Sequence, residues 1–522
     1  MLSPTEIGGV RPQDLAALPP VKTTPVADLP SIVAAARAAQ PAWEALGFEA
    51  RAKILKKACH AALARAEESA KLIEDEAGKL RPFALLTEAI GPVDYLKSWI
   101  SVARPYLKSR KLPINPIAMP GKKGRVDIIA RGVVGIIAPW NYPLAAYFKP
   151  MMPALLSGNA VIMKPSEYAP RTGAWFAAVL SEHLPKGIVQ CVQGAADVGS
   201  ALIDSGIDSL VFTGSVKSGK AVVKHAAERM IPCSIELGGK DAALVLEDCD
   251  FDRTVAGVLG VGFLTCGQDC GAIERVYVPN AIADRFVDAL GKAAAAIRVP
   301  MPGDDLSVAE LSPLSTPAQL QLVETHVGEA VAKGAKLVCG GKRTGVGLWY
   351  QPTVLDRCDH TMAVVNDETF GPVIAIVRVK DVDEAVKLAN DSRYGLNASI
   401  WTKDVAKAKA LAPRFEAGTI FINNHGFTGA IPSAPWTGVK DTGYGVANSE
   451  FSLHSFTRPR TVVIDSNKGP DFWWAPADKV LTDIGERLLA AQLGKVLGAL
   501  KIPGLMKKRQ KRILDGARGA GK

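Results

Sequence analysis

The sequence predicts an α/β protein with two lobes, each built on a mainly parallel sheet. The chain has 522 residues, which is too long for one ordinary hydrophobic core. Short apolar runs typical of buried strands alternate with helical patterns, and this order is the one that a parallel sheet with crossover helices requires. The 48 glycines and 35 prolines are spread along the whole chain, as expected for many tight connections.

The elements can be assigned in order. Residues 29–107 predict helices, because apolar residues such as Ala34, Ala38 and Leu55 recur at helical spacing. Two extended runs around a Pro-Gly turn predict a hairpin over 111–131. Buried strands are then predicted at Val133–Ile137, Ala160–Met163 and Ser209–Phe212. The same alternation from about 238 to 431 indicates the second lobe, with strands predicted at Ala243–Leu246, Val276–Val278 and Val373–Val377.

The cysteine content indicates free thiols in a reducing compartment. The N-terminus has no basic segment followed by an apolar stretch, so we expect no secretory signal and a cytoplasmic location. Cys266 and Cys270 have no second Cys or His pair at zinc spacing, so no metal site is expected. The eight cysteines are dilute and form no compact framework: Cys59, Cys191, Cys233, Cys249, Cys266, Cys270, Cys339 and Cys358.

The positive charge belongs to the C-terminal tail. The formal net charge is +10, and residues 487–522 hold ten basic residues against the single acidic Asp515. The other 486 residues are therefore close to neutral, which argues against a nucleic-acid-binding body.

Three segments supply the parts for acyl transfer through a covalent intermediate. Cys270 follows Gly267-Gln268-Asp269, where a lone cysteine is by itself more typical of a buried filler. Glu236 enters the two-glycine turn Gly238-Gly239, where a backbone can approach a ligand closely. Asn141 follows Trp140 and lies between two prolines, Pro139 and Pro143, after the Val133–Ile137 strand, at the end of a parallel strand where α/β proteins bind ligands. Together these are a thiol nucleophile, a carboxylate base and an amide donor.

These motifs, in this order and at these separations, resemble the aldehyde dehydrogenase superfamily over about residues 29–463. Further segments resemble its cofactor and C-terminal motifs: Met163-Lys164-Pro165-Ser166-Glu167, Phe212-Thr213-Gly214-Ser215 with Gly219, Glu368-Thr369-Phe370-Gly371-Pro372 and Pro435-Trp436-Thr437-Gly438. The resemblance implies a Rossmann-like cofactor domain, an α/β catalytic domain and a β-hairpin oligomerisation arm. The implied boundaries are 1–110 with 132–236 for the NAD-binding domain, 237–452 for the catalytic domain, 111–131 with 453–466 for the arm, and 467–522 for a C-terminal extension.

The resemblance also implies roles for single residues. Cys270 would be the nucleophile, Glu236 the general base, and Asn141 an oxyanion donor together with the Cys270 backbone N–H. Lys164 and Glu167 would hold the adenosine ribose and Glu368 the nicotinamide ribose. The full implied cofactor set is Trp140, Lys164, Ser166, Glu167, Gly194, Gly199, Thr213, Gly214, Ser215, Gly219, Leu237, Glu368 and Phe370.

The carboxylate of Glu167 favours free ribose hydroxyls over a 2′-phosphate, so we expect NAD rather than NADP. Tyr142, Asp269, Gly271 and Trp436 are expected to line the aldehyde pocket. The negative charge of Asp269 weighs against anionic semialdehydes, and Gly271 leaves room for bulk. Two departures concern the site: Thr265 stands where the family often has Asn, and Ala196 stands where relatives often have glycine.

The segment after residue 466 leaves two main alternatives, and the near-neutral rest of the chain argues against a third, a nucleic-acid-binding tail. Phe472, Trp473 and Trp474 precede a helical pattern of leucines, and a basic cluster follows. The apolar face over Leu488–Leu500 spans 13 residues, too few to cross a bilayer. It is either a helix packed on another subunit or an amphipathic segment lying on an anionic membrane, with Lys495 reaching back to water.

The sequence thus predicts an NAD-dependent aldehyde dehydrogenase that forms carboxylic acids and acts as a homodimer or homotetramer. Transfer of the acyl group to coenzyme A is an alternative, against which a resident hydrolytic base such as Glu236 argues. A catalytically silent structural homologue is a second alternative, against which the intact set of three catalytic side chains argues. If the tail binds membrane, lipophilic or long-chain aldehydes become plausible substrates.

Overall fold

A computed structural model describes residues 5–116, 119–494 and 496–519 of the chain. It forms two compact units. The first comprises Met1–Leu107 and Ile129–Arg458, and the second comprises Lys108–Ile128 and Pro459–Lys522. The division into separate cofactor and catalytic domains stays a prediction, because both segments fall within the first unit.

A six-stranded sheet forms the first half of the first unit. Its inner strands are short, β-branched and fully buried, as is typical of parallel strands covered on both faces. The strands predicted at Val133–Ile137, Ala160–Met163 and Ser209–Phe212 are confirmed. In spatial order the sheet consists of an antiparallel edge strand and five parallel strands: Gly443–Tyr444, Cys233–Glu236, Ser209–Thr213, Val133–Ile137, Ala160–Lys164 and Val189–Cys191.

Helices cover this sheet and bury their apolar faces against it. Trp43, Leu55 and Trp99 are almost completely buried in the shared core. The helical region predicted over 29–107 is confirmed, and it contains a π-helical turn at Leu85–Ala89. The longer helices are Leu29–Ala45, Phe48–Ala64, Ala66–Ala77, Gly91–Tyr106, Ala145–Leu156, Pro170–Ser181, Ala196–Asp204 and Val216–Glu228.

A seven-stranded sheet with its own hydrophobic core forms the second half of the first unit. Only the first strand in its spatial order is antiparallel to its neighbour: Lys336–Cys339, Thr353–Asp356, Val373–Val379, Ile273–Pro279, Asp241–Val245, Asn397–Trp401 and Thr419–Ile422. The second α/β layer that the sequence predicts is therefore present. Its helices are Phe251–Gly262, Asn280–Ala295, Pro317–Ala332, Ala363–Asn366, Val382–Asn390 and Val405–Leu411.

The second unit begins with the predicted hairpin. Arg110–Leu112 pairs antiparallel with Lys122–Ala130, and Thr457–Asp465 adds a third strand at the edge. The predicted Pro-Gly turn has Gly121 at φ 77°, and the Asn467 side chain donates a hydrogen bond of 2.8 Å to the Pro120 carbonyl. A Cβ at position 121 would lie 2.1 Å from the Asn467 Oδ1, so the turn accepts only glycine without rearrangement.

The C-terminal extension differs from the sequence prediction. A continuous apolar helical face over Leu488–Leu500 was expected, but the helix Lys479–Gln492 ends before Gly494, which has φ 87°. A 3₁₀ helix over Val496–Lys501 and a helix over Ile502–Gly519 follow. Glycine with a left-handed backbone is a common helix terminator, and this one breaks the predicted face. No described helix is long and apolar enough to cross a membrane, and the predicted contribution of Lys495 lies outside the described residues.

Candidate active site

The predicted chemical residues converge on one cavity in the first unit. The cavity has a volume of about 540 Å³. Its wall includes all three predicted catalytic side chains, Asn141, Glu236 and Cys270, which are far apart in sequence and come from different elements. Three of the four predicted pocket residues also line it, namely Tyr142, Asp269 and Trp436.

The nucleophile stands on a constrained turn. Thr265, Cys266 and Gly267 all have left-handed backbone, with φ of 47°, 64° and 67°. A Cβ at position 267 would lie 2.1 Å from the Gly371 carbonyl oxygen, so only glycine fits. A β-branched residue in this conformation is strained, and the departure to Thr265 therefore places strain in the turn that precedes the predicted nucleophile, Cys270.

The side chain of Gln268 fastens this turn. Its Oε1 accepts a hydrogen bond of 2.8 Å from the Ser315 N–H, and its Nε2 donates to two carbonyl oxygens at 3.2 Å. The Asn141 Nδ2 donates to the Gln268 carbonyl at 3.0 Å. Since that bond uses one of the two amide protons of Asn141, the other remains available to a ligand in the cavity.

The carboxylate of Asp269 is engaged on both oxygens. One accepts from the Gly271 N–H at 2.8 Å and the other from the Tyr142 hydroxyl at 2.5 Å. The Lys79 ammonium lies 3.6 Å from the centre of the Tyr142 ring and forms a buried ion pair with Glu88. Asp269 thus holds the backbone at Gly271 in place, and it also contributes negative charge to the cavity wall.

Gly271 differs from its predicted role. It is buried and is not among the residues that line the cavity. A Cβ there would lie 3.0 Å from the Asn397 Nδ2 and 3.3 Å from the Trp436 ring, so the glycine serves close packing behind the wall. The expectation that it leaves room for a bulky substrate is wrong.

The surroundings of the Cys270 thiol disfavour its ionised form. Burial, followed by the negative charges of Asp269 and Glu236, holds its pKa well above the usual range. The thiolate is the nucleophilic form of cysteine, so attack requires a base that removes the proton as the reaction proceeds.

Glu236 is the carboxylate that the sequence predicts as the base. It ends the strand Cys233–Glu236 and faces the same cavity. Burial raises the pKa of Glu236 to about 7, and the positive charge of Lys149 acts in the opposite direction. A base with a pKa near neutral pH combines an available ionised form with useful basicity.

The predicted cofactor residues gather at one edge of the six-stranded sheet. Each group follows the carboxyl end of one of its five parallel strands, which is where such sheets bind dinucleotides. Trp140 follows Val133–Ile137, and Leu237 follows Cys233–Glu236. The remaining members end or follow the other three strands: Lys164, Ser166 and Glu167; Gly194 and Gly199; Thr213, Gly214, Ser215 and Gly219.

Two features of this edge fit a dinucleotide. The helix Val216–Glu228 has thirteen residues, and its N-terminus carries the partial positive charge that suits a pyrophosphate. Ser215 caps that helix by accepting the Ser218 N–H at 3.3 Å. Lys164 is buried and donates to the Pro165 carbonyl at 2.8 Å; burial lowers its pKa, and the charge of Glu167 opposes that shift.

Glu368 and Phe370 reach the same region from the second half of the unit. The Glu368 Oε1 accepts from the Gly239 N–H at 2.9 Å, and burial raises the pKa of Glu368 to about 8. The Phe370 and Trp140 rings meet edge to face with centroids 5.6 Å apart. A Cβ at Gly238 would lie 2.2 Å from a Glu368 oxygen, and one at Gly239 would lie 2.1 Å from the Cys270 carbonyl oxygen.

Several supporting residues escaped the sequence analysis. Glu274 accepts the Thr369 and Phe370 N–H groups at 2.8 Å each, and the buried Lys240 forms an ion pair with it. Lys149 lines the cavity near the base. Their positions in the sequence could have identified Lys149 and Glu274. Lys149 is the only charged residue between Pro143 and Met163, and Glu274 stands with an arginine at the start of a mainly apolar strand.

Among the described residues, no group of three or more His, Cys, Asp or Glu could hold a metal ion.

Comparison with known proteins defines the class. Residues 3–462 match the aldehyde dehydrogenase family. The 4,4′-diapolycopene aldehyde oxidase of Methylomonas sp is 36% identical over 434 residues, which cover 82% of this chain and 80% of that protein.

Two solved structures are similar in fold. A Mycobacterium tuberculosis aldehyde dehydrogenase complexed with NAD+ is 31% identical with a TM-score of 0.82, over 89% of this chain and 95% of that one. The NADP-dependent glyceraldehyde-3-phosphate dehydrogenase from Bacillus halodurans, complexed with NADP, is 32% identical with a TM-score of 0.83, over 88% and 96% of the chains.

The chain belongs to the aldehyde dehydrogenase family, and it is an enzyme of that class. The recognition and the fold predicted from the sequence are therefore confirmed. Both NAD and NADP occur as ligands of its structural neighbours.

Proposed function

We propose that the enzyme oxidises an aldehyde to a carboxylic acid with NAD, through a thioester on Cys270. The observation that carries this proposal is the presence of Cys270, Glu236 and Asn141 on the wall of one cavity. A nucleophile, a base and an oxyanion donor facing one space are the requirements for acyl transfer through a covalent intermediate.

In the first step the Cys270 sulfur bonds to the aldehyde carbon. Its proton leaves to Glu236, directly or through water, because the thiol is neutral at rest. The carbonyl oxygen becomes an oxyanion, which the free amide proton of Asn141 and the Cys270 backbone N–H would stabilise. Removing one such donor typically costs about 3 to 4 kcal/mol of barrier.

Bound NAD+ would supply the acceptor for the hydride that leaves the tetrahedral carbon, so that a thioester remains on Cys270. Glu236 first releases to bulk water the proton that it took from the thiol, which is the proton that the overall oxidation produces, and then deprotonates a water molecule that attacks the thioester carbon. The carbon–sulfur bond breaks, the carboxylic acid leaves, and the sulfur regains a proton. The role of Glu236 in the second half is supported by its pKa of about 7.

The presence of Glu236 in the cavity favours hydrolysis over transfer to coenzyme A, because activated water would compete with the incoming thiol. A silent homologue is disfavoured because all three catalytic side chains are retained and face one space.

The preference for NAD rests on Glu167. Its carboxylate follows the strand that also delivers Lys164, and the two side chains interact electrostatically. A negative charge at this place would repel a 2′-phosphate while it accepts hydrogen bonds from free ribose hydroxyls.

The substrate class proposed is a lipophilic aldehyde. Leu86, Ile90 and Phe427 line the cavity and are at the same time well exposed, so its entrance is apolar. The relationship to a 4,4′-diapolycopene aldehyde oxidase is consistent with such a substrate. The argument against anionic aldehydes from Asp269 alone is weakened, because the Lys149 ammonium faces the same cavity.

The three-stranded sheet of the second unit is the surface proposed for assembly into a homodimer or homotetramer. Its edge strand Thr457–Asp465 exposes Val463 and Ile464. An exposed apolar edge strand is a ready site for pairing with another chain.

The test follows NADH and free acid with a panel of short, long and aromatic aldehydes. Cys270→Ala is expected to abolish turnover and to leave NAD binding near wild type, whereas Cys266→Ala is the matched control. Cys266 is fully buried behind the turn, so its loss costs some stability but little activity. Glu236→Gln is expected to slow both the release of the first equivalent of NADH and the steady-state rate, because Glu236 is the proposed base in both steps. Normal turnover by the Cys270 variant would overturn the mechanism, and acyl-coenzyme A as the product would overturn hydrolysis.

A further inference from the structure

The two terminal helices of the second unit form a hairpin that is held at its base. Asp478 caps the helix Lys479–Gln492 by accepting the Leu481 N–H at 2.9 Å. The same carboxylate forms ion pairs with Arg509 at 3.0 Å and Arg512 at 3.1 Å, both from the last helix. Arg509 is almost completely buried and also donates to the Trp474 carbonyl at 2.8 Å.

The outer end of this hairpin carries a leucine cluster, defined as Leu489, Leu493, Leu497 and Leu500. Their side chains are 60 to 85% exposed. The two buried apolar residues of the hairpin, Ile484 and Ile502, point instead to its interior. Four neighbouring leucines left in water on either side of one turn are unusual for a folded surface and mark a contact site.

A lysine group extends from the leucine cluster towards the base of the hairpin, because Lys507, Lys508 and Lys511 lie around Arg509 and Arg512, which pair with Asp478 there. Lys501 follows Leu500 directly, and Lys507, Lys508 and Lys511 are exposed on the last helix. Asp515 is the only acidic residue after Glu486. Arg509 and Arg512 form ion pairs with Asp478, so the lysines carry most of the positive charge of the hairpin that is not paired.

We propose that the hairpin docks on an anionic lipid surface, with the leucine cluster inserted among the acyl chains and the lysine group on the lipid phosphates. An apolar tip with lysines towards its base is what a membrane-inserting hairpin needs, because insertion of the tip and attraction to the headgroups then act together. Trp474 is half exposed near the base of the hairpin and suits the headgroup region. A second copy of the hairpin is a poorer occupant, since it would bring two lysine groups of the same sign together.

The geometry corrects the sequence-based picture in one respect. The membrane contact is made by a bent helix–turn–3₁₀ segment at a hairpin tip, and not by one continuous helix lying flat. Arg509 acts within the hairpin and not on the lipid. The proposal is independent of which aldehyde the enzyme oxidises.

The experiment is co-sedimentation of the full-length protein with vesicles of phosphatidylcholine, with and without phosphatidylserine, at low and high salt. Binding is expected only to the anionic vesicles and is expected to fall with salt. Each lysine near the surface contributes about a fivefold factor, about 1 kcal/mol, so Lys507→Gln/Lys508→Gln/Lys511→Gln should weaken binding on the order of 100-fold. Leu493→Ser/Leu497→Ser/Leu500→Ser should weaken binding at both salt concentrations.

Matched control variants replace three exposed lysines or three exposed leucines outside the hairpin. Lys53→Gln/Lys56→Gln/Lys57→Gln neutralises three exposed helical lysines, and Leu46→Ser/Leu322→Ser/Leu337→Ser removes three exposed leucines. Both should bind like wild type, and every variant should keep wild-type activity on a short aldehyde, which reports folding. The proposal is overturned if wild-type protein ignores anionic vesicles or if control and hairpin variants behave alike. It is also overturned if the leucine variant changes only the oligomeric state in gel filtration, which would assign the hairpin to a subunit contact.

Discussion

Replacing Lys149 tests whether its positive charge sets the pH range in which Glu236 acts as a base. Burial raises the pKa of Glu236 to about 7, and the nearby Lys149 ammonium holds it down. In Lys149→Met this opposing charge is lost, so the pKa of Glu236 should rise. The ionised form is the active base, and therefore the acid limb of the deacylation rate should move to higher pH.

The expected size follows from simple titration. With a pKa of about 7, the ionised fraction of Glu236 rises about tenfold between pH 6 and pH 8, and the rate of thioester hydrolysis should follow it. An upward shift of one unit in the variant would lower the rate at pH 7 about fivefold, because the ionised fraction falls from about a half to about a tenth. At pH well above the new pKa the variant should recover the wild-type rate.

The assay measures thioester breakdown directly. Enzyme acylated with aldehyde and NAD is quenched in acid at successive times, and the acyl mass on the intact protein is followed across pH. Lys149→Arg keeps the cation and should keep the wild-type profile, and Lys97→Met removes an exposed lysine outside the cavity. If Lys149→Met lowers the rate equally at every pH, Lys149 contacts the substrate or supports the fold and does not tune the base.

Three further predictions follow from the same site. Asp269→Asn removes the negative charge that, after burial, does most to raise the pKa of Cys270, so alkylation of Cys270 by iodoacetamide should reach its half-maximal rate at lower pH; an unmoved profile would contradict this. Glu167→Gln should lower the ratio of kcat/KM with NAD to kcat/KM with NADP. Equal kcat/KM with both cofactors in the wild type would refute the role of Glu167. Glu274→Gln leaves the buried Lys240 without its ion-pair partner and should lower the free energy of unfolding by about 3 to 5 kcal/mol in denaturant titrations. A loss below about 1 kcal/mol would show that Lys240 is satisfied in another way.

The sequence correctly predicted the features that a local pattern of residues determines. Buried parallel strands are short apolar runs, so Val133–Ile137 was assigned correctly, and the residues after such strands fall at the cofactor edge by topology. Lys149 and Glu274 were missed because their importance depends on neighbours distant in the chain. The prediction of one continuous helical face in the tail is wrong at Gly494. The leucine spacing fits a helix before and after this glycine, but the first helix ends just before it.

The two glycines of the Glu236 turn join two parts of the first unit. The Gly239 N–H is bonded to Glu368, and a Cβ at the same residue would lie 2.1 Å from the Cys270 carbonyl oxygen. Any side chain at position 239 would therefore displace the backbone of Cys270 and disturb the hydrogen bond to Glu368 at the same time.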